Sequence, residues 1–169
     1  MWVLIMTFLK LIVGKFICCK DPTYQSILLH MFANRLIRNG KKFVAYRILY
    51  SILHEIRLEI RGLPVAIMEH AVRIIIPSVQ LKALRISGAV YQVPVDIQLN
   101  VSISIAIKWI LNASSDRQGN GVVSRLLSEV TQAASGSGGA MRKRGEVCRM
   151  AEANKAFTRY RSHSNSHGV

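Results

Sequence analysis

The chain has 169 residues, half of them hydrophobic, which is enough for one domain with a sizeable core. Its 23 Lys and Arg outnumber its 9 Asp and Glu, and the formal net charge is +14. Because so large an excess repels itself, the composition argues against an ordinary cytosolic enzyme and favours a polyanionic partner, either nucleic acid or anionic lipid. The three cysteines, two of them adjacent, form neither a zinc motif nor a disulfide framework.

The first segment, residues 1–20, is strongly apolar but is interrupted by Lys10 and Lys15. Neither uninterrupted run approaches the ~18 residues of a membrane-spanning helix. No cation precedes Lys10, whereas a secretory signal places its charge before the apolar run. We expect an N-terminal extension that packs on a neighbouring protein, with a membrane anchor and a processed leader as alternatives.

The main domain is predicted to begin at Asp21-Pro22 and to extend to residue 161. Apolar residues recur at helical spacing over residues 24–39, and Asn39-Gly40 then provides a helix stop. A second helix is predicted over residues 41–60. A third is predicted from Pro64, which suits a first helical turn, to Ile76.

The next segment changes to β-branched residues. Two short runs joined by Ser87-Gly88 predict a β-hairpin over residues 79–97. Over residues 100–111 apolar and small residues alternate, which by itself predicts a strand. The alternating apolar residues are Val101, Ile103, Ile105 and Ile107.

The C-terminal third is predicted to contain a helix, a short Gly- and Ser-rich joint and a second helix. Residues 114–121 are predicted as a loop and residues 122–134 as a helix. The Gly- and Ser-rich residues 135–139 predict a flexible joint before a last helix over residues 140–160. Residues 162–169 are expected to form a polar, disordered tail.

A helical wheel divides the last helix into two faces. One face is apolar and is expected to dock onto the domain; it carries Val147, Met150, Ala153, Phe157 and Tyr160. The other face and its flanks are basic, and Arg and Lys side chains suit phosphate oxygens. These cations are Arg142, Lys143, Arg144, Arg149, Lys155, Arg159 and Arg161.

Cations also cluster between the first two helices, at Arg35, Arg38, Lys41, Lys42 and Arg47, and Lys82 and Arg85 lie on the hairpin. Clusters this far apart in sequence suit an extended polyanion surface better than one pocket. The alternative hypothesis is a peripheral membrane protein with an apolar N-terminus and a basic amphipathic helix. A DNA-binding protein is a third hypothesis, but no recognition-helix motif supports it.

The sequence offers little for catalysis. The five histidines stand in no nucleophile or metal motif, and His163 and His167, four residues apart, have no third ligand. The glycines at the joint match no nucleotide-binding loop. We therefore expect no enzymatic activity, no cofactor, no metal and no small-molecule substrate.

Four blocks of sequence occur in order and carry a family resemblance: GKKFVAYRILY (40–50), GAVYQVPVDI (88–97), AIKWIL (106–111) and GSGGAMRKRGEVCRMAEANKAF (136–157). Together they resemble ribosomal protein seven of the small subunit, in the wording of its bacterial and organellar members. The resemblance implies a mainly α fold, a six-helix bundle with one protruding β-hairpin. It also implies a helix over residues 100–114, against the alternation, and we give it precedence.

The resemblance further implies function. Family members bind small-subunit rRNA, help nucleate assembly of the head, and lie near the mRNA exit channel and the E-site tRNA, among neighbouring small-subunit proteins. The rRNA-binding residues expected here are Arg35, Arg38, Lys41, Lys42, Lys82, Arg85, Lys108, Arg142, Lys143, Arg144, Arg149, Lys155 and Arg159. The hairpin residues expected near the E site are Lys82, Arg85, Ser87, Gly88, Tyr91 and Gln92.

The chain departs from the family at Leu84 and Ser87, where the family carries Arg and Gly, and at Cys148, where it carries His. The largest departure is Val101-Ser102, which replaces a pair of basic residues. Such drift from basic to apolar suggests a protein-rich organellar ribosome. We expect a mitochondrial location, with the plastid as the alternative.

Overall fold

The computed structural model describes residues 20–60, 62–86 and 88–158. The predicted N-terminal extension up to residue 19 and the polar tail lie outside the described residues. Within them the chain forms six helices and one antiparallel hairpin, which confirms the predicted fold class. In chain order these are α1 (Ile27–Leu36), α2 (Lys42–Ile60), α3 (Pro64–Ile75), β1 (Val79–Ile86), β2 (Ala89–Asp96), α4 (Leu99–Asp116), α5 (Val122–Ala134) and α6 (Gly139–Ala153).

One hydrophobic core joins the helices. Helix α2 supplies Leu49, Ile52, Leu53 and Ile56 at helical spacing, all fully buried, and α5 inserts Leu126 and Val130. Burial of each such side chain contributes about 1.5–3 kcal/mol, so this core is the main source of stability. Other large residues with no exposed surface are Leu29, Phe32, Met68, Ile75, Ile107 and Ile110.

Helix α1 starts later than the predicted residue 24 because the buried carboxylate of Asp21 organises a turn before it. Asp21 Oδ2 accepts the backbone N–H groups of Thr23 at 3.2 Å and of Tyr24 at 2.8 Å. Its Oδ1 accepts the hydroxyl of Tyr50 at 2.9 Å. A side chain that satisfies these N–H groups in a turn competes with helix formation, so the helix begins at Ile27.

The limits of α2 and α3 agree with the local signals in the sequence. Asn39 (φ +51°) and Gly40 (φ +73°) take the left-handed conformation and turn the chain from α1 into α2. Pro64 occupies the first turn of α3, where its missing N–H costs nothing.

Helix α4 covers the residues for which alternation predicted a strand. The strand prediction is wrong, and the helix implied by the family resemblance is confirmed. The hydroxyls of Ser102 and Ser104 donate to the carbonyl oxygens of Gln98 at 3.3 Å and Asn100 at 3.2 Å. These serines are therefore satisfied within their own helix and can lie against its neighbours. The buried residues follow helical spacing: Ser102, Ile103, Ala106, Ile107, Ile110 and Ser114.

The hairpin has the predicted position, and its strands pair in one antiparallel register. Val79 pairs with Asp96 and Ile86 with Ala89, which leaves positions 87 and 88 for the turn. Gly88 has φ +87°, a conformation that suits glycine, whereas Ser87 lies outside the described residues. The base of the hairpin contacts α6 through β1.

The joint between α5 and α6 is a hydrogen-bonded turn rather than the flexible linker that its composition predicted. Gly136 (φ +77°) donates to the carbonyl oxygen of Ala133 at 3.0 Å, and Ser137 donates to that of Gln132 at 2.9 Å. These two bonds form a Schellman motif, which satisfies the last carbonyl groups of α5. The direction in which the chain enters α6 is therefore fixed.

Candidate nucleic-acid interface

Helix α6, which carries the predicted RNA-binding residues Arg142, Lys143, Arg144 and Arg149, is capped by a carboxylate from α5. Glu129 has no exposed surface, and its Oε1 accepts the backbone N–H of Ala140 at 2.8 Å. A negative charge at a helix N-terminus is favourable because the unpaired N–H groups there carry partial positive charge. Glu129 thus occupies the end of α6 that could otherwise attract a phosphate.

The other oxygen of Glu129 is also paired. Its Oε2 accepts Nε of Arg117 at 2.6 Å, and Arg117 reaches on to the side-chain oxygen of Gln132. The glycines at the start of α6 allow this close approach: a Cβ on Gly138 would lie 3.0 Å from Glu129 Oε1, and one on Gly139 would lie 3.0 Å from Ala113 Cβ. The loop after α4, helix α5 and the start of α6 are therefore held together at one buried carboxylate.

An open cleft of about 1010 Å³ lies beside this junction, between the base of the hairpin and helices α4 and α6. Lys108, Arg142 and Lys143 all line it, so three predicted RNA-binding residues from two helices come together. Lys143 forms an exposed ion pair with Glu146 at 3.0 Å, whereas Lys108 and Arg142 have no ion pair among the described residues. An exposed pair of that kind is weak, about 0–1 kcal/mol, so a phosphate can take its place.

The side of α6 that docks onto the domain differs from the helical-wheel prediction. The buried residues are the small Ala140 and Ala151, whereas Met150 is 39% exposed and Ala153 is exposed, so the wheel was wrong for both. The reason is that α6 packs closely against α4 and β1, where alanine fits better than a large side chain. Arg144, predicted on the outer basic face, is half-buried instead, and its Nε is buried without a hydrogen-bond partner among the described residues.

The last helix also ends earlier than predicted, at Ala153 rather than near residue 160. Asn154 begins a tighter turn, in which the N–H of Phe157 donates to the carbonyl oxygen of Asn154 at 3.0 Å. This turn places the ring of Phe157 4.9 Å from that of Tyr91 on the hairpin. The predicted contribution of Phe157 to docking is therefore made to the hairpin. Arg149 and Lys155 are exposed as predicted, and Arg159 lies outside the described residues.

The second predicted cluster lies at the corner between α1 and α2, and all its cations are exposed: Arg35, Arg38, Lys41, Lys42 and Arg47. Two of them lie over aromatic rings. Lys42 Nζ is 5.9 Å from the ring centre of Tyr46, and Arg47 Cζ is 5.0 Å from that of Phe43. Such cation–π contacts keep the charges at the surface and limit their motion.

On the hairpin, Lys82 and Arg85 are exposed and lie on opposite faces of β1, since they are three positions apart. Gly88 and Gln92 are exposed as well, and Tyr91 is half-buried by its contact with Phe157. The predicted hairpin residues thus divide between a packed side and an open side.

Among the described residues, Tyr50 and Glu69 have shifted pKa values. Burial raises the pKa of Tyr50 above its ordinary value; the hydrogen bond from Thr23 opposes this, and the neighbouring Asp21 adds to it. Burial also raises the pKa of Glu69, partly offset by Arg73. Neither group is a predicted RNA-binding residue, and the titration of both affects the stability of the fold.

The structure bears on two further hypotheses. Among the described residues, no group of three or more His, Cys, Asp or Glu is placed to hold a metal ion; His163 and His167 lie outside this part of the chain. Within the same ranges, no helix combines the length and apolar character needed to cross a membrane.

Sequence reasoning missed two features of these surfaces. Glu129 was not singled out, although it lies on the same helical face as Leu126, Val130 and Ala133, which is an unusual position for a carboxylate. Phe43 was not singled out either, although it directly follows Lys42. An aromatic residue inside a cationic run is a signal that could have identified it.

The fold and the surface define the class of protein: a mainly helical, basic domain with a projecting hairpin and exposed cationic surfaces. The chain belongs to the family described as ribosomal protein S7p/S5e, whose model matches residues 10–155. It is 40% identical over 147 residues to the small ribosomal subunit protein uS7c of Tupiella akineta, a match that covers 87% of this chain and 94% of that protein. The chain is therefore a structural protein of the small ribosomal subunit that serves in translation, in a family that is not enzymatic.

Proposed function

We propose that the protein binds small-subunit rRNA directly through the α1–α2 corner and through Lys108, Arg142 and Lys143 in the cleft, whose lining also includes Asp116, Glu129 and Glu146. The observation that carries this proposal is the convergence of Lys108 and Arg142, from different helices, on one open cleft at the base of the hairpin. Two cations without ion pairs on a rigid framework suit the phosphates of a folded RNA. Neutralising several phosphates supplies most of the affinity, and that affinity falls as salt rises.

In the same proposal the protein helps to nucleate assembly of the head of the small subunit. The hairpin then lies near the E-site tRNA and the mRNA exit channel, with the exposed residues Lys82, Arg85, Gly88 and Gln92 available to these RNAs. Family membership supports this arrangement, as does the exposure of the hairpin cations. The apolar extension of residues 1–20 packs on a neighbouring small-subunit protein.

We also infer that the ribosome is organellar. The sequence suggested a mitochondrion, with the plastid as the alternative, and the relative from Tupiella akineta is of the plastid type, which favours the plastid. Cofractionation of the native protein with plastid or mitochondrial small subunits decides between them.

The test of rRNA binding uses the full chain and an RNA containing the head domain of the small-subunit rRNA. The double variant Lys108→Glu/Arg142→Glu is expected to bind more weakly, and its plot of log affinity against log salt should be shallower by about 0.7–0.9 for each phosphate that the variant no longer neutralises. The matched control is Lys20→Glu/Arg57→Glu, which changes the same net charge at exposed sites outside the predicted cationic surfaces. If both double variants lost affinity equally, the loss would come from the change in net charge alone, and the proposed site would be wrong.

A further inference from the structure

The α1–α2 corner contains an exposed aromatic side chain that the proposed phosphate contacts do not use. Phe43, in the first turn of α2, is 72% exposed, the largest value among the large apolar residues described. It follows Lys41 and Lys42 directly and precedes Arg47 by one turn. A phenylalanine in this position leaves most of its apolar area in water, and among the described residues its contact with Arg47 is an exposed cation–π contact that contributes only about 0.5–1 kcal/mol to the free protein.

A groove of about 680 Å³ opens beside Phe43, with Tyr46 and Tyr50 in its wall. Hydrogen bonds hold both tyrosines: the Tyr46 hydroxyl pairs with His30 Nδ1 at 2.9 Å, and the Tyr50 hydroxyl donates to Asp21 at 2.9 Å. Their ring centres are 5.8 Å apart. The groove therefore has a fixed aromatic wall, and a ligand that enters it does not have to order these side chains.

We propose that Phe43 stacks on an unpaired base of the rRNA, while Lys41 and Lys42 contact the adjoining phosphates. The proposal rests on the proposed rRNA binding and adds to it a recognition element for a nucleotide outside a duplex. Arg47 covers one face of the Phe43 ring, and the high exposure of the residue leaves the other face open to a base. RNA bases that are splayed out of a helix are recognised in this way, by stacking on aromatic rings and on guanidinium planes.

Charge favours RNA over a protein neighbour as the occupant. The corner presents five exposed cations, and Glu55 is the carboxylate among the residues that line the groove. A protein that covered Phe43 would have to desolvate these cations or supply several carboxylates opposite them. An unpaired nucleotide supplies both the aromatic surface and the negative charge in one group.

The test measures binding of the full chain to head-domain rRNA for three variants of Phe43. Phe43→Ala and Phe43→Leu are expected to bind about 5- to 150-fold more weakly, the range found when stacking on one base is removed, and Phe43→Tyr should keep near wild-type affinity. The salt dependence should be unchanged in all three, because stacking releases no counterions. Leu63→Ala is the matched control, since Leu63 is 67% exposed and lies in the α2–α3 turn, away from the cluster.

The outcomes separate the two proposals. If the wild-type chain fails to bind the rRNA, the proposed function is wrong and the stacking proposal falls with it. If the wild type binds but Phe43→Ala or Phe43→Leu binds equally well, stacking alone is refuted. If Phe43→Ala keeps its affinity for rRNA but no longer binds a neighbouring ribosomal protein, a protein occupies the corner and the proposal is overturned. Because the side chain is exposed, circular dichroism should show the same fold in every variant.

Discussion

The buried carboxylate of Glu129 should stabilise the domain far more than an exposed carboxylate on the same surface. Its two oxygens accept the N–H of Ala140 at 2.8 Å and Nε of Arg117 at 2.6 Å, and its side chain has no exposed area. Glu129→Ala removes both hydrogen bonds, and the bond from Ala140 is the one that caps α6. A hydrogen bond to a charged group contributes about 1.5–3 kcal/mol, and loss of a helix cap costs about 1 kcal/mol.

The side chain of Arg117 keeps 25% exposure and can turn to water when its partner is removed, which lowers the cost. We therefore expect Glu129→Ala to reduce the free energy of unfolding by about 3 kcal/mol. Glu129→Gln retains an oxygen for Ala140 but presents an amide to Arg117, so its cost should be about half as large. Urea unfolding followed by circular dichroism measures both values.

The control for these variants is Glu146→Ala. Glu146 pairs with Lys143 at 3.0 Å, but the side chains are 48% and 54% exposed. Its removal should change the free energy of unfolding by no more than about 0.5 kcal/mol. If Glu129→Ala cost as little as Glu146→Ala, the junction would not depend on the buried carboxylate, and the account of how α6 is positioned would be wrong.

The remaining predictions concern the turn at α6 and two titrating groups. Gly138→Ala should lower the free energy of unfolding, measured in urea, more than Gly136→Ala does. Both glycines have positive φ, so both substitutions strain the backbone. A Cβ at position 138 would in addition lie 3.0 Å from Glu129 Oε1, whereas a Cβ at position 136 would meet nothing within 4 Å. Because the pKa of Tyr50 is raised in the folded state, the stability that this group contributes is lost as pH rises above about 10, and thermal unfolding of Tyr50→Phe should show a smaller fall over that range than the wild type. The raised pKa of Glu69 means that its protonated form is favoured on folding, so stability from this group is present below about pH 4.3 and is lost as pH rises through the folded pKa. Glu69→Gln should therefore raise the melting temperature at pH 7, and the gain should vanish near pH 4; a constant gain at all pH values would contradict the assignment.

Local sequence signals predicted the structure correctly where a few neighbouring residues determine the backbone conformation. The start of α2, the start of α3 and the turn of the hairpin follow from Asn39-Gly40, Pro64 and Gly88, which act over a few residues. Helix α4 shows the limit of such reasoning. Its alternation is real, but Ser102 and Ala106 are buried because neighbouring helices approach closely, and only the tertiary structure reveals that contact.

The cations of the candidate site could be predicted from the sequence, but the residues that hold those cations in position could not. A basic cluster can be counted along a sequence, since exposed Lys and Arg need no partner to be recognised. The position of α6 depends instead on Glu129, and a glutamate in an amphipathic helix is ordinarily solvent-exposed. Its burial follows from Arg117, twelve residues earlier, and from glycines nine and ten residues later, and no local pattern joins these positions.

The two cationic surfaces share one physical property, which is that their supports are fixed before RNA arrives. Glu129 and the Schellman turn hold α6, and the hydroxyls of Tyr46 and Tyr50 hold the wall of the α1–α2 corner. Ordering a loop or a side chain on binding costs free energy. Because these surfaces are already ordered, little of the favourable electrostatic free energy of binding is lost to that cost. Substitutions at the supports should therefore weaken RNA binding without changing its salt dependence, whereas substitutions of the cations should change both.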